Sequence, residues 1–367
     1  MHVGDGLVAC FAPTYAAARE KFLDAADAAR LDVHSDVHPL RGRDGETLAL
    51  DIVRDGPTEA SRVLLISSGC HGIEGFCGSG IQVAMLRDAH WRESTRRAGV
   101  AVVYLHALNP YGFSWWRRVT HENVDLNRNF LDFHAPLPQN PAYDEIAHLL
   151  VPSTWPPSLR NHVALLRILL TRGARHLQAA VSVGQHTHPQ GLFFGGHAPT
   201  WSQVAVRHAL REHGRRAERL AWIDLHTGLG QSGVGERIFA GPDDAAMLAR
   251  TRAWWGPHIT SIHDGSSSSA PITGMMWLAA PQECPQAEYT GIALEYGTQP
   301  LLKTLHALRA EQWLENHPEH AATHGARIKQ QLRDAFFTDT DDWKRQVVEQ
   351  AMEAAAQGVA GLTAVRN

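Results

Sequence analysis

The order of apolar and polar positions predicts helices alternating with short buried strands. Residues 14–31 carry apolar side chains at helical spacing behind Thr14, which reads as an N-cap. Residues 47–53 alternate as a half-buried strand does. Four short apolar runs follow, at 63–66, 100–105, 220–225 and 292–295, each short enough for a strand buried on both faces. Helical spacing occupies 80–89, 141–150, 158–181, 201–216 and most of the chain after the last run. Residues 109–133 fit neither period, and so long an irregular stretch in a compact domain is usually functional. Residues 184–196 form a Gly/His loop, and 264–274, with four consecutive serines, reads as a mobile loop.

Strands alternating with helices predict an α/β fold with a central, mostly parallel mixed β-sheet flanked by helices. No internal repeat or domain-sized linker interrupts it. A single large catalytic domain over 1–337, with 338–367 as a C-terminal helical extension packed on it, is the expected organisation. Polar residues cluster just beyond the carboxyl ends of the predicted strands, where ligands bind in such sheets.

Composition adds mainly exclusions. At 367 residues, 44% hydrophobic and 20% charged, the chain can fill a core and is not disordered. Its 34 basic and 38 acidic residues give a net charge of −4, which recruits neither nucleic acid nor an anionic membrane by itself. Four cysteines without CxxC spacing read as buried free thiols. No signal-peptide pattern opens the chain, and no apolar stretch approaches the roughly 20 residues that span a bilayer, so a cytoplasmic protein is expected. The oligomeric state is not legible. With 23 histidines, only a histidine at motif spacing carries information.

One such histidine follows the first buried run, in His71-Gly72-Ile73-Glu74. H-x-x-E spacing brings an imidazole and a carboxylate close enough to share a cation, although in a His-rich chain it also arises by chance. A catalytic zinc needs a third protein ligand and an open position for water, and His226 at the end of another buried run is the natural third. Asp224 reads equally as a structural residue or as a partner to a zinc ligand.

The next block is Asn109-Pro110-Tyr111-Gly112, then Arg118, then Asp125-Leu126-Asn127-Arg128-Asn129-Phe130. With H-x-x-E before it, His226 after it and Glu295 in Ala293-Leu294-Glu295-Tyr296-Gly297, it resembles the zinc carboxypeptidase superfamily, the carboxypeptidase A-like peptidases. The resemblance runs from about residue 40 to 315 and keeps the family's order throughout. Gln185-His186-Thr187-His188 and His226-Thr227-Gly228 further resemble a bacterial branch known only as a domain of unknown function, related to succinylglutamate desuccinylase and aspartoacylase.

The resemblance implies one Zn²⁺ held by His71, Glu74 and His226. It implies Glu295 as general base and acid, Arg118 as the stabiliser of a developing oxyanion, and Asn127 with Arg128 as the grip on a substrate carboxylate. Spacing favours Arg118 over Arg117. Asp125 is expected to orient its loop by hydrogen bonding. His186 and His188 could line the pocket or hold a second metal, but a polar loop is preferred. The family's mobile tyrosine has no counterpart in residues 264–277, and neither Tyr289 nor Tyr296 falls where the motif asks.

A carboxypeptidase acting on peptides or peptide-like molecules with a free carboxylate is therefore the leading expectation. An N-acyl amino acid amidohydrolase is the alternative. A catalytically inactive binding protein is disfavoured because no ligand and no glutamate is missing. Gly69, Gly72 and Gly75 are spaced wrongly for a dinucleotide fingerprint.

Overall fold

Among the described residues seven strands build one mixed sheet, and the four apolar runs of the sequence form its centre. The computed structural model describes residues 3–365. Strands β1 (Val33–Arg41), β2 (Thr47–Asp55), β3 (Arg62–Ser68), β4 (Ala101–His106), β5 (Arg219–Ser232), β6 (Gly235–Phe239) and β7 (Glu288–Gly297) lie in the order β1-β2-β4-β3-β5-β7-β6. The inner four, β4, β3, β5 and β7, run parallel to one another. β1 and β2 at one edge and β6 at the other are antiparallel to their neighbours. Alternate residues of β3 enter different cores, Leu64 and Ile66 on one face and Val63 and Leu65 on the other. The runs read as unbroken apolar stretches because both faces are covered.

Helices Tyr15–Ala28, Gly75–Arg87 and Asp341–Thr363 cover the first face, while Trp201–His213 and Ala279–Glu283 cover the second. Thr14 caps the first of these helices, accepting from the Ala17 N–H at 3.2 Å. In the C-terminal helix the Trp343 indole donates to the Gly297 carbonyl at the end of β7, at 3.0 Å. Among the described residues no helix is long and apolar enough to cross a membrane.

Three features depart from the periodicity. The helical pattern of residues 158–181 is two helices, Leu159–Arg172 and Ala174–Ser182, parted by Gly173 at φ 83°, a left-handed conformation that a side chain resists. β1 and β6 were not expected, because edge strands need no apolar alternation. Val37 and Leu40 in β1 are exposed, and β6 has five residues. β5 does not stop at Leu225 but continues to Ser232, so His226 lies inside a strand paired with Glu295 of β7.

At the end of β4, His106 is fully buried, stacked on Phe22 with ring centroids 4.3 Å apart and bonded through Nε2 to Ser79 Oγ at 2.8 Å. Burial pushes its pKa down to about 4 from an ordinary 6.5, and the nearby Asp51 carboxylate only partly opposes that. Protonation therefore favours the unfolded chain. The His106 contribution is complete above pH 6.5 and is lost as pH falls toward 4. Between pH 7.5 and 5 the wild type should lose about 2 kcal/mol more stability than His106→Gln, read from urea midpoints. Parallel curves for the two proteins would show that His106 does not titrate in this window.

Candidate metal centre and active site

Three peptide segments converge at the carboxyl ends of β3, β5 and β7. β3 ends at Ser68, and the chain turns through Gly69 and Cys70 into a short 3₁₀ helix, Gly72–Glu74, with His71 as its N-cap. That turn lies tightly against the Asn109-Pro110-Tyr111-Gly112 segment. Asn109 caps the short helix Pro110–Ser114, accepting from the Gly112 N–H at 2.9 Å, with Pro110 at its first position. A Cβ on Gly72 would collide with the Gly112 backbone, so only a glycine at position 72 permits this approach. Gly72 and Ile73 N–H groups then donate to the Arg118 and Arg117 carbonyls at 3.0 and 2.8 Å. The two motifs are one packed unit, and this unit places Arg118 beside His71.

His71, Glu74 and His226 form a compact, buried donor set. His71 Nδ1 is 2.8 Å from Glu74 Oε1, and His226 Nδ1 is 3.0 Å from Glu74 Oε2. Each imidazole has its other nitrogen on a carboxylate: His226 Nε2 lies 2.6 Å from Asp224 Oδ2, and His71 Nε2 lies 3.2 Å from Asp125 Oδ1. Asp224 is itself held by the Ser67 hydroxyl at 2.6 Å, which accepts from the Trp222 indole at 2.7 Å. Two imidazoles and one carboxylate, with carboxylates orienting both rings, are the chemistry that a catalytic zinc takes from a protein. The donor set fits that ion.

Charge at this centre is balanced within the site. Burial alone would raise the Glu74 pKa, yet His71 and His226 hold it well below the usual carboxylate range. Burial alone would lower that of His226, yet Asp224 and Glu74 raise it well above 6.5. Glu295 is the exception: burial first, and then the neighbouring Glu74 charge, push it up to about 8. Its Oε1 accepts from the Leu229 N–H at 2.9 Å. This raised carboxyl lies opposite His226 in the β5–β7 pairing, and so strongly perturbed a group in a cleft is a candidate for proton transfer.

Neighbouring arginines in the sequence take different roles. Arg118 donates to Asp125 at 3.0 Å and to Glu74 at 3.1 Å and touches His71. Arg117 points away, into a buried ion pair with Glu311 at 2.8 Å that Lys329 shares. Arg128 is buried and lies over the Phe193 ring. It donates twice to the Ser182 carbonyl and once to that of Asn127, so three of its five N–H groups are used and one on each terminal nitrogen remains. Asn127 Oδ1 accepts from the Met276 N–H at 2.9 Å. Asp125 orders the loop, accepting from Arg118 and from the Asn127 N–H at 3.1 Å.

All seven residues expected at the site line one cavity of about 260 Å³. Its remaining wall is mostly apolar, with Val181, Phe193, Ile262, Trp277, Leu305 and Phe336 drawn from widely separated segments. Sequence reasoning missed these wall residues, and no spacing signal links them. No described tyrosine lines the cavity; Tyr289 and Tyr296 donate to the Ala240 and Val347 carbonyls. The serine loop is tied to β6, the Ser268 N–H donating to Glu236 at 3.1 Å. His186 and His188 stay outside the cavity, bonded to the Gly196 carbonyl and to Asp144. All four cysteines are buried free thiols. Cys70, Asp224 and His226 form a second possible donor group, but burial and then Asp224 raise the Cys70 thiol well above its ordinary value.

The fold is carboxypeptidase A-like. Thrombin-activatable fibrinolysis inhibitor superposes with a TM-score of 0.52 at 11% identity, covering 96% of this chain and 77% of that one. Carboxypeptidase A from Helicoverpa armigera aligns at 0.45 and 12% identity, over 88% of this chain and 73% of its own. An aspartoacylase family protein from Mesorhizobium loti aligns at 0.33 and 16% identity, over 77% and 66%. Likeness at such identities is one of fold. None of the curated proteins compared matches the sequence. The chain belongs to the DUF2817 family, described as proteins of unknown function, whose sequence profile matches residues 11–350.

Proposed function

We propose that this chain is a zinc-dependent hydrolase that cleaves an amide bond next to a free carboxylate, acting as a carboxypeptidase on peptides or peptide-like small molecules. The observation that carries the reading is the joining, in one cavity, of the His71–Glu74–His226 donors, Glu295, and the Asn127–Arg128 pair. Held by those three donors, Zn²⁺ would supply a Lewis acid and bring the pKa of a water from 15.7 to about 7. Glu295 takes the proton of the attacking water and delivers it to the leaving nitrogen. Arg118 presents positive charge to the oxyanion as it develops, in a site where burial strengthens the effect. The two remaining N–H groups of Arg128, with the Asn127 amide, hold the substrate carboxylate and set the scissile bond at a fixed distance from Glu295. The apolar wall excludes water and receives an uncharged side chain.

A mixed peptide library, half with free and half with amidated C-termini, tests this when digested with and without chelator and read by mass spectrometry. Loss of single C-terminal residues from the free set alone, abolished by chelator, is the expected result. No cleavage of either set by protein that contains zinc would overturn the peptidase reading and favour small N-acyl amino acids.

A further inference from the structure

We infer that the mouth of the cavity is a membrane-docking face, built by helix Leu159–Arg172 and the start of helix Leu301–Asn316, whose partner is a bilayer surface carrying anionic lipid. Among the described residues, seven of the twelve exposed large apolar side chains lie on these two helices. Leu159, Val163, Leu166 and Leu170 are 79, 57, 52 and 76% exposed. They recur at i, i+4, i+7 and i+11, which places them in one stripe along the helix. The opposite side is the one against the protein, with Asn161 buried and Ile168 packed on the core, so the helix presents its other apolar stripe outward. Across the mouth, Leu301 and Leu302 are 51 and 79% exposed. Leu169 from one helix and Leu301 and Leu302 from the other line the cavity itself, so the patch is continuous with the interior.

The charge on these helices selects the occupant. Leu159–Arg172 contains three arginines and no carboxylate. Arg160 and Arg167 fall on the same border of the apolar stripe, are exposed, and make no ion pair among the described residues. Lys303 stands beside Leu301 and Leu302, and the first carboxylate of that helix is Glu311. An apolar stripe bordered by arginine is the pattern of a helix lying in a bilayer interface, its cations among anionic headgroups. The net charge of −4 offers no general attraction to such a surface, so binding depends on this local patch. Among the described residues nothing covers this stripe, whose four apolar side chains are 52 to 79% exposed.

Cosedimentation of the full chain with phosphatidylcholine vesicles, with and without phosphatidylglycerol, tests the inference without any need for turnover. Failure of the hydrolytic reading leaves the result unaffected. The protein should pellet at least about tenfold more with the anionic vesicles, and salt should weaken that preference. The pair Leu166→Glu and Leu170→Glu, at exposed positions outside the core, should lower binding at least about tenfold while circular dichroism and the thermal midpoint stay unchanged. Arg160→Gln with Arg167→Gln should abolish the preference for anionic lipid. Absence of wild-type pelleting would overturn the inference, as would full binding by the double-glutamate protein. So would a dimer in light scattering that the same substitutions convert to monomer, since a second copy would then cover the stripe.

Discussion

Glu295→Gln should retain zinc at one ion per chain and lose about 10³-fold in kcat. The substitution keeps the side-chain shape and an oxygen able to accept from Leu229, so the β5–β7 pairing that fixes its position survives. It removes the one group in the cavity whose pKa is raised into the range of general base work. The pH profile gives a second readout. Glu295 must be ionised to take a proton, so wild-type kcat/KM should fall as pH drops through its pKa. Burial and Glu74 set that pKa at about 8 in the protein alone, and a dication beside Glu74 brings it lower. In the variant this acid limb should vanish along with the rate. Stability should move the other way: a carboxyl whose folded pKa is raised destabilises the native state progressively above its ordinary 4.5. At neutral pH the metal-free variant should therefore unfold no lower than the wild type. Near-normal turnover at matched zinc content would remove Glu295 from the mechanism.

What the sequence revealed of this site follows from which contacts are local. His71 and Glu74 share one turn, and Asn109 with Gly112 share another, so their spacing is legible. That the two turns pack through Gly72 and Gly112 is tertiary, and only the order of the motifs hinted at it. The four inner strands declare themselves because both faces are buried; β1 and β6 do not, having an edge each. Arg117 and Arg118 are adjacent, and nothing local says that one turns to Glu311 and the other to Asp125. Their separation is decided by Glu311, nearly two hundred residues away on a helix outside the sheet. The cavity wall is the extreme case. Val181, Phe193, Trp277 and Phe336 each look like core residues, and only the fold makes them neighbours of one ligand.

Replacing His226 by Ala should empty the zinc site, and pairing it with His71→Ala makes the result specific. Two buried donor groups share His226: His71 and Glu74 complete one, Cys70 and Asp224 the other. Loss of His226 breaks both, whereas loss of His71 breaks only the first. Zinc measured by atomic emission after dialysis against a competing chelator should fall from one ion per chain to background in both variants. Asp224→Asn keeps every ligand of the first group and disturbs only the orientation of His226, so it should weaken zinc by about 10- to 100-fold rather than remove it. The Cys70 group predicts the reverse ranking, with Asp224→Asn severe and His71→Ala mild. Three observations favour the first ranking: His71, Glu74 and His226 line the cavity while Cys70 and Asp224 do not, burial raises the Cys70 thiol, and Asp224 is committed to Ser67 and His226. A ligand must be deprotonated to bind metal, and Asp224 and Glu74 raise the His226 pKa above its ordinary value, so zinc uptake should release protons and tighten as pH rises. One tight zinc retained by His226→Ala would show that neither group is the site.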